Sequence, residues 1–443
     1  MILNNVKKIY FIGIGGIGMS AVAGIAKAKG FEVSGSDSSD VYDPSKAVLD
    51  KYAVSYHIGF DSKNITDFNL SVNDLVVAGA ATDLENPELQ YAKAQNFQIK
   101  GYPELLGLLV ADKKRIVVVG THGKGTTSGL IAFALKALED SGFFVGAVLT
   151  DLQTNFYYGA GPNFVIEGDE YRSGVDDPRP KFAYYNPDLL LINNIEFDHP
   201  DIYKNLEAFK EPFKKLVSEM KEDSVIVYNA DDLNVSEIVA FSRAKKVPFS
   251  LKEQKNYKLP GKAYAYDYLA AKITLETLGF DFSSFEKYFL EYTGVKRRYE
   301  LIYENNVTII DDYAHHPTAV RETLEATKEK YPNRRIVCFF EPHTYSRTKE
   351  TLSDLKKAFQ SADLVYIAEV YPAREQKLAS SITGADVVKA ISEYHKNVFF
   401  VSDKVDALEK YRAEKKEGDV VIVMAVGSFN TLVYDLKKEL GAS

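Results

Sequence analysis

The sequence Arg-Ile-Val-Val-Val-Gly-Thr-His-Gly-Lys-Gly-Thr-Thr-Ser occupies residues 115–128 and decides the fold of the middle of the chain. Residues 116–119 are all β-branched, which predicts a buried strand over 115–119. The glycine- and threonine-rich segment 120–128 predicts a loop, followed by a helix to about Glu139. This order predicts a phosphate-binding loop, because its backbone N–H groups and the helix N-terminus hold polyphosphate.

The lysine and the hydroxyl residues of this loop indicate ATP chemistry. Lys124 supplies a mobile positive charge to the terminal phosphates, and a hydroxyl can hold Mg²⁺ or Mn²⁺. A standard loop has Ser or Thr directly after the lysine, but this chain has Gly125 there. Either Thr126 takes the metal or the loop is impaired. The candidate ATP-binding residues are Gly120, Thr121, His122, Gly123, Lys124, Gly125, Thr126 and Thr127.

A second glycine-rich segment, Gly-Ile-Gly-Gly-Ile-Gly at residues 13–18, follows an apolar run near the N-terminus. Glycines at this spacing allow a diphosphate to approach the backbone, and Asp37 stands where a dinucleotide site places a ribose-binding acid. Tight packing of a strand on a helix would explain the glycines equally well. An NAD-dependent oxidoreductase is a further alternative, but it leaves the loop at 120–127 unexplained.

Acidic clusters follow two predicted strands of the middle block. Glu167-Gly168-Asp169-Glu170 follows a strand at 163–167, and a segment ending in Glu196-Phe197-Asp198-His199 follows a strand at 189–193. In open α/β sheets, ligands bind outside the carboxyl ends of the strands, so both clusters are expected beside Lys124. Carboxylates and one imidazole suit Mg²⁺ or Mn²⁺. A solvated acidic loop is the alternative.

Strands and helices alternate in three successive blocks, which predicts an α/β protein with parallel sheets. The predicted domains are 1–107, 108–298 and 299–443. A helix is expected over 19–29. The remaining predicted strands lie at 31–34, 74–78, 224–228, 307–310, 335–340, 363–367, 397–401 and 419–424.

Composition excludes several classes of protein. Of the 443 residues, 54 are Lys or Arg and 62 are Asp or Glu, and the formal net charge of −8 argues against a nucleic-acid partner. The apolar runs are far shorter than the roughly 20 residues of a membrane span, so no membrane insertion is expected. Cys338 is the single cysteine, which rules out an intrachain disulfide and favours a reducing compartment, the cytoplasm.

The combined motifs of the chain resemble those of the Mur ligase family, the ATP-dependent enzymes of peptidoglycan precursor synthesis. The resemblance runs from near Tyr10 to about Thr431. It implies three domains: a Rossmann-like N-terminal domain for the UDP-sugar, a central P-loop ATPase α/β domain, and a Rossmann-like C-terminal α/β domain for the incoming amine. The motifs are residues 13–20, 120–127, 167–170, 196–199, 294–298, 311–318 and 342–347.

The resemblance also implies a reaction, in which the lactyl carboxylate of UDP-N-acetylmuramate attacks the γ-phosphate of ATP and an amine then displaces phosphate. It implies catalytic roles for Lys124, Glu167, His199 and Arg298, and metal ligands at Thr126, Glu167 and His199. The implied ligand-binding residues fall into three groups. They are Arg297, Arg298 and Asp312 for ATP; Gly13, Gly15, Gly16, Ile17, Gly18, Ser36 and Asp37 for the UDP-sugar; and Tyr313, His315 and Arg347 for the amino acid.

The identity of the amine is the finer question. Residues 342–347 and 371–375 resemble the branch of the family that adds L-alanine, whereas the middle block resembles the branch that recycles a murein tripeptide. Because the amine meets the C-terminal domain, L-alanine is expected first and the tripeptide second. Gly125, Arg172 and Gly-Lys-Ala-Tyr at 261–264 depart from the family pattern. These departures keep open a ligase-like protein that binds the UDP-sugar with impaired turnover.

Overall fold

The computed structural model describes residues 3–253, 261–373, 375–378 and 380–440. Arg374 of the 371–375 motif therefore lies outside the described residues. The chain forms two compact units, the first of which contains the first two sheets. The second unit contains the third sheet, the segment Phe197–Leu206 and the described part of Glu253–Tyr266. Within the described ranges, every helix is too short or too polar to cross a membrane.

The first sheet is parallel and has the strand order β3-β2-β1-β4-β5. Its strands are β1 Lys8–Ile12, β2 Glu32–Asp37, β3 Ser55–Ile58, β4 Leu75–Ala78 and β5 Gln98–Lys100. The helices of this block are α1 Ile17–Ala28, α2 Ser45–Lys51, α3 Ser62–Phe68, α4 Pro87–Ala94 and α5 Tyr102–Leu109. Because β1 lies in the middle, the glycine-rich loop that follows it opens at the carboxyl edge of the sheet.

The second sheet has the strand order β12-β11-β10-β6-β9-β7-β8 and is parallel except for the antiparallel pair of β7 with β8. Its strands are β6 Lys114–Val119, β7 Gly142–Leu149, β8 Thr154–Tyr157, β9 Asn163–Glu167, β10 Leu189–Ile192, β11 Val225–Asn229 and β12 Lys245–Phe249. The helices are α6 Lys124–Glu139, α7 Leu206–Ser218, α8 Leu233–Val239, α9 Lys262–Thr277 and α10 Phe282–Glu291. The central strand β6 is flanked by β9 and β10, so their carboxyl ends meet at one edge.

The third sheet has the strand order β13-β14-β18-β15-β16-β17, with β13 antiparallel to β14 and the other pairs parallel. Its strands are β13 Glu300–Glu304, β14 Thr308–Asp312, β15 Ile336–Phe340, β16 Leu364–Ile367, β17 Val398–Phe400 and β18 Val420–Met424. The helices are α11 Pro317–Lys330, α12 Tyr345–Leu355, α13 Gly384–Ile391, α14 Lys404–Glu414 and α15 Leu432–Glu439. Apolar clusters bury both faces of this sheet.

The α/β fold class is confirmed, and each predicted strand has a counterpart within a few residues. Two details differ from the expectation. The helix after the phosphate loop begins at Lys124, so the loop is shorter than the predicted segment 120–128. The antiparallel pairs at the edges of the second and third sheets were not expected, because short edge strands lack the continuous apolar pattern of a central parallel strand. The boundaries near 108 and 298 stay predictions.

Candidate functional site

The phosphate loop joins β6 to α6 and surrounds its own lysine. Gly120 and Gly123 have φ of +140° and +77°, a region that glycine adopts without strain. Lys124 Nζ donates to the carbonyl oxygens of Gly120 (2.7 Å) and Thr121 (3.2 Å) and pairs with Glu170 at 2.9 Å. Burial alone would lower the pKa of Lys124, but the carboxylates of Glu170 and Asp169 raise it, so the ammonium stays charged.

The segment after β10 holds the phosphate loop in place. The side-chain oxygen of Asn194 accepts the backbone N–H groups of Thr121 (3.1 Å) and His122 (2.8 Å). The hydroxyl of Thr121 donates to the carbonyl oxygen of Glu196 (2.8 Å), and the Glu196 carboxylate lies 2.9 Å from His122 Nε2. The prediction that this segment lies beside the loop is therefore correct for residues 193–196, and Asn194 is the residue that organises the loop.

A buried carboxylate that the sequence analysis missed lies behind the loop. The Thr127 hydroxyl donates to Asp267 (2.9 Å), and the Asn193 amide donates to Thr127 (2.9 Å). A Cβ on Gly123 would come within 2.1 Å of the Asp267 carboxylate, so this position tolerates glycine alone. Thr127 therefore contacts the interior of the protein rather than the open side of the loop. A signal for Asp267 existed, because it follows the altered segment 261–264 by three residues.

Glu167 ends β9 beside the first turn of α6. The backbone N–H of Gly146 donates to its carboxylate (2.6 Å). A Cβ at Gly125 would lie 3.5 Å from Glu167, an ordinary contact distance, so position 125 faces this carboxylate. A carboxylate beside a predicted phosphate-binding loop fits the preference of Mg²⁺ for oxygen ligands. Gly125 is therefore the loop position that faces Glu167, whereas the predicted metal ligand is the next residue, Thr126.

The glycine-rich loop that follows β1 is hydrogen-bonded to Asp37. The N–H of Gly15 donates to Asp37 Oδ2 (2.8 Å), and a Cβ on Gly15 would lie 2.8 Å from that oxygen. Ser36 is fully buried, and its hydroxyl donates to Glu88 in the interior. Its carbonyl oxygen accepts the N–H of Gly13 (2.8 Å). Asp37 and Ser36 therefore shape the loop, while Ile17 is 45% exposed at the start of α1.

A cleft of about 190 Å³ lies within the first unit between this glycine loop and Glu167. Tyr102 forms one wall and would be 2.8 Å from a Cβ placed on Gly18. Lys181 forms another wall, pairs with Asp169, and has its ammonium 5.7 Å from the centroid of the Tyr102 ring. Neither Lys181 nor Tyr102 was predicted from the sequence as a site residue.

In the second unit, Arg347 lies at the centre of a buried cluster at the start of α12. Its Nε and Nη2 atoms lie 2.9 and 2.7 Å from Asp198 Oδ1. Its Nη1 donates to His343 Nδ1 (2.7 Å), and Nη2 lies 3.4 Å from His199 Nδ1. His199 adopts a φ of +56° directly after Asp198. Arg347, predicted to bind an amino acid, thus already holds a carboxylate of the chain.

The charges of this cluster set its protonation states. Burial would raise the pKa of Asp198, but the Arg347 guanidinium and neighbouring imidazoles hold it well below its usual range. Burial, reinforced by Arg347, lowers the pKa of His343 to about 4 and that of His315 well below its ordinary value. Asp198 is therefore ionised and both imidazoles are neutral at neutral pH.

The residues around Tyr313 form a second group in this unit. The guanidinium carbon of Arg297 lies 5.0 Å from the centroid of the Tyr313 ring and that of Arg298 lies 4.9 Å from it, as in cation–π contacts. Arg297 donates to the carbonyl oxygen of Ala425 (2.5 Å), whereas Arg298 is exposed. His315 Nδ1 donates to the carbonyl oxygen of Tyr313 (2.8 Å).

Asp312 and Asp311 end β14 as two buried carboxylates. Asp312 accepts the N–H of Ala314 (2.8 Å) and the hydroxyl of Thr323 (3.2 Å). Burial raises the pKa of Asp312, and burial opposed by Arg297 raises the pKa of Asp311 to about 7. Asp312, which was predicted to bind ATP, thus already makes hydrogen bonds within its own chain.

The raised pKa of Asp311 predicts a pH-dependent stability. The ordinary pKa of 3.8 applies in the unfolded chain and about 7 in the folded one, so the folded protein binds the extra proton between pH 4 and 7. Its stability therefore falls as pH rises through this window and levels off above it. We measure the melting temperature of Asp311→Asn minus that of the unsubstituted protein. We expect this difference to increase by several degrees between pH 4.5 and pH 7.5. A difference that is constant across this range would contradict the assignment.

A groove of about 650 Å³, larger than the cleft of the first unit, lies at the edge of the third sheet where the strands begin. Its lining residues Arg335, Asp363 and Asn397 directly precede β15, β16 and β17, at the amino ends of the strands. Arg335 is paired with Asp419 (2.7 Å). Because ligands of open α/β sheets bind at the carboxyl ends, size alone does not mark this groove as the site.

Comparisons with known proteins agree with this arrangement of three sheets. Family models match in chain order: the Mur ligase family catalytic domain over residues 8–114, the Mur ligase middle domain over 118–294, and the glutamate ligase domain of Mur ligases over 297–427. The UDP-N-acetylmuramate–L-alanine ligase of Caldicellulosiruptor bescii is 32% identical, covering 96% of this chain and 97% of that protein. The enzyme of the same name from Clostridium acetobutylicum is 32% identical over 95% of both.

Solved structures give the same result. The UDP-N-acetylmuramate–alanine ligase of Thermotoga maritima is 26% identical and superposes with a TM-score of 0.77, covering 98% of this chain and 99% of that one. A murein peptide ligase of Psychrobacter arcticus, 24% identical with a TM-score of 0.69 over 98% of this chain and 99% of that one, shares the fold. The three family models and the end-to-end identity show that the chain belongs to the Mur ligase family.

Proposed function

We propose that the protein is a cytoplasmic, ATP-dependent ligase that joins L-alanine to the lactyl carboxylate of UDP-N-acetylmuramate in peptidoglycan precursor synthesis. The observation that carries the proposal is the 32% identity to UDP-N-acetylmuramate–L-alanine ligases over 96% of the chain. The phosphate loop with a charged, buried Lys124 supports the ATP part of the reaction.

The reaction proceeds in two balanced steps. The substrate carboxylate attacks the γ-phosphorus of ATP, so that a C–O–P bond forms and ADP leaves. The neutral amine of the amino acid then attacks the acyl carbon, the C–O bond breaks, phosphate leaves, and the nitrogen loses a proton. Both steps concentrate negative charge on phosphate oxygens, and preorganised cations stabilise such charge.

Several residues are suited to these steps. Lys124 and the N–H groups of residues 120–127 would bind the ATP phosphates, and the exposed Arg298 would reach the γ-phosphate. Thr126, Glu167 and His199 would hold Mg²⁺ or Mn²⁺, and the metal, when bound, would neutralise charge on the phosphates. Glu167 is suited because its carboxylate faces the first turn of α6. Arg297 and Asp312 would also bind the nucleotide.

The other two substrates would bind at the ends of the outer sheets. The UDP-sugar would contact Gly13, Gly15, Gly16, Ile17 and Gly18, with Ser36 and Asp37 fixing the loop from behind. The amino acid would meet Tyr313, His315 and Arg347. Arg347 is suited to a carboxylate because it already holds that of Asp198.

The experiment that tests the proposal is phosphate release from ATP and Mg²⁺ in the presence of UDP-N-acetylmuramate. L-Alanine and L-alanyl-γ-D-glutamyl-diaminopimelate are compared as amines, and reactions lacking the UDP-sugar are the controls. We expect release with L-alanine. Release with the tripeptide alone would assign the chain to cell-wall recycling, and release with neither would contradict the ligase proposal.

Gly125 gives a gain-of-function prediction for the metal site. A serine there would place its Cβ at an ordinary distance from Glu167 and add the hydroxyl that standard loops carry after the lysine. We expect Gly125→Ser to lower the Mg²⁺ concentration for half-maximal phosphate release by about 3- to 10-fold. This change corresponds to the free energy of one hydrogen bond. Gly125→Ala is the matched control, because it adds the Cβ without the oxygen. Equal effects of both substitutions would contradict a ligand role at this position.

A further inference from the structure

The small cleft of the first unit has features that the roles above do not use. Its volume of about 190 Å³ is below the roughly 300 Å³ of the smallest drug-sized sites, so it suits a short chemical group rather than a whole nucleotide sugar. Its lining includes Gly18 of the N-terminal glycine loop together with Gly146 and Glu167. The cleft therefore borders both the proposed diphosphate loop and the proposed metal ligand.

Lys181 is built into this cleft as a fixed cation. It begins the short 3-10 helix Lys181–Tyr184, and its N–H donates to the carbonyl oxygen of Tyr171 (3.0 Å). Its side chain is 15% exposed and pairs with Asp169, whose own carboxylate accepts the N–H of Tyr171 (3.0 Å). An ammonium group has three protons, so the hydrogen bonds to Asp169 and to the Tyr102 hydroxyl leave Lys181 one proton for a further acceptor in the cleft.

Two ion pairs and one further carboxylate carry the charges around the cleft. Lys181 pairs with Asp169, and Lys124 pairs with Glu170. These two pairs are neutral, which leaves Glu167 as the third carboxylate. A divalent cation on Glu167 would offset this carboxylate, and Lys181 would hold the substrate carboxylate against the repulsion of the ATP phosphates.

We infer that Lys181 binds the carboxylate of the muramyl substrate and aims it along the cleft toward Glu167 and the ATP phosphates. This inference rests on the proposed function and adds a specificity-determining residue to it. Tyr102 confines the lysine on the side of Gly18, and Asp169 holds it in place. A nucleotide sugar without the lactyl carboxylate would lack the group that Lys181 recognises.

The test measures how strongly Lys181 and the substrate carboxylate depend on each other. Dissociation constants are measured by calorimetry for UDP-N-acetylmuramate and for UDP-N-acetylglucosamine, which lacks the lactyl carboxylate. Both titrations contain Mg²⁺ and a non-hydrolysable ATP analogue. We expect Lys181→Met to weaken binding of the muramate by about 10- to 100-fold, the range of one charge-assisted hydrogen bond, and to change binding of the glucosamine by less than about 3-fold.

Further variants separate this role from a structural one. Lys181→Arg keeps the charge and should retain most of the preference for the muramate. Lys181→Met/Asp169→Asn removes the buried pair together, so it avoids an unpaired carboxylate if Lys181→Met alone fails to fold, and it should lose the preference. Lys93→Met removes a lysine–aspartate pair (2.9 Å to Asp176) on the surface of the same unit and is the matched control.

Each outcome has one meaning. Selective loss of muramate binding supports the inference. Equal weakening of both ligands, or an unchanged preference, overturns it and leaves Lys181 as the partner of Asp169. If the unsubstituted protein binds neither nucleotide sugar, the proposed function itself fails.

Discussion

Lys124→Met is expected to lower the rate of phosphate release with L-alanine by about 10²–10³-fold, the usual cost of removing one group that stabilises charge in the transition state. Lys124 is the first residue of α6, and carboxylate neighbours hold its pKa above the ordinary value. The ammonium is therefore charged at every working pH. Because it contacts the carbonyl oxygens of Gly120 and Thr121, it lies inside the loop that would surround the phosphates.

The substitution also removes the partner of Glu170, whose side chain is 3% exposed, and an unpaired buried carboxylate destabilises a fold. Lys124→Met/Glu170→Gln removes both charges and is the control for this effect. We expect the double variant to recover the melting temperature and to stay inactive. Recovery of phosphate release together with stability would show that Lys124 acts only as a structural counter-ion.

Central strands and the phosphate loop could be predicted from the sequence because their signals are local. The apolar run that becomes β6 and the segment that becomes β9 are buried on both faces, which leaves a continuous pattern. The edge strands β3 and β5 are short and largely polar, so they carry no such pattern. The Gly120–Lys124 spacing is likewise a local signature of phosphate binding.

The side-chain partnerships of the candidate site could not be predicted, because they join distant segments. Arg347 and Asp198 are 149 residues apart, and Thr127 and Asp267 are 140 residues apart. Each residue alone looks like an ordinary surface charge or a helix residue. Asp312, Ser36 and Asp37 were predicted as ligand-binding residues, and only the fold shows that they also form hydrogen bonds within their own chain.

Arg347→Met is expected to affect stability and substrate binding together. Asp198 is 7% exposed, and two guanidinium nitrogens hold its Oδ1 atom. Breaking a buried ion pair from one side costs about 3–5 kcal/mol of folding free energy, so we expect a clear loss of stability in denaturant or thermal unfolding. If Arg347 also binds the amino-acid carboxylate, the KM for L-alanine should rise about 10- to 100-fold.

The double variant Arg347→Met/Asp198→Asn distinguishes these two effects. It leaves no unpaired charge in the cluster, so stability should return toward that of the unsubstituted protein. The KM for L-alanine should stay high, because the cation that would meet the substrate carboxylate is still absent. A KM that recovers along with stability would instead make Arg347 a structural partner of Asp198. Burial and the guanidinium together depress the pKa of His343, so in the single variant Arg347→Met, which keeps Asp198, that pKa should rise from about 4 when followed by NMR titration. That shift would report the loss of the arginine charge independently of any substrate.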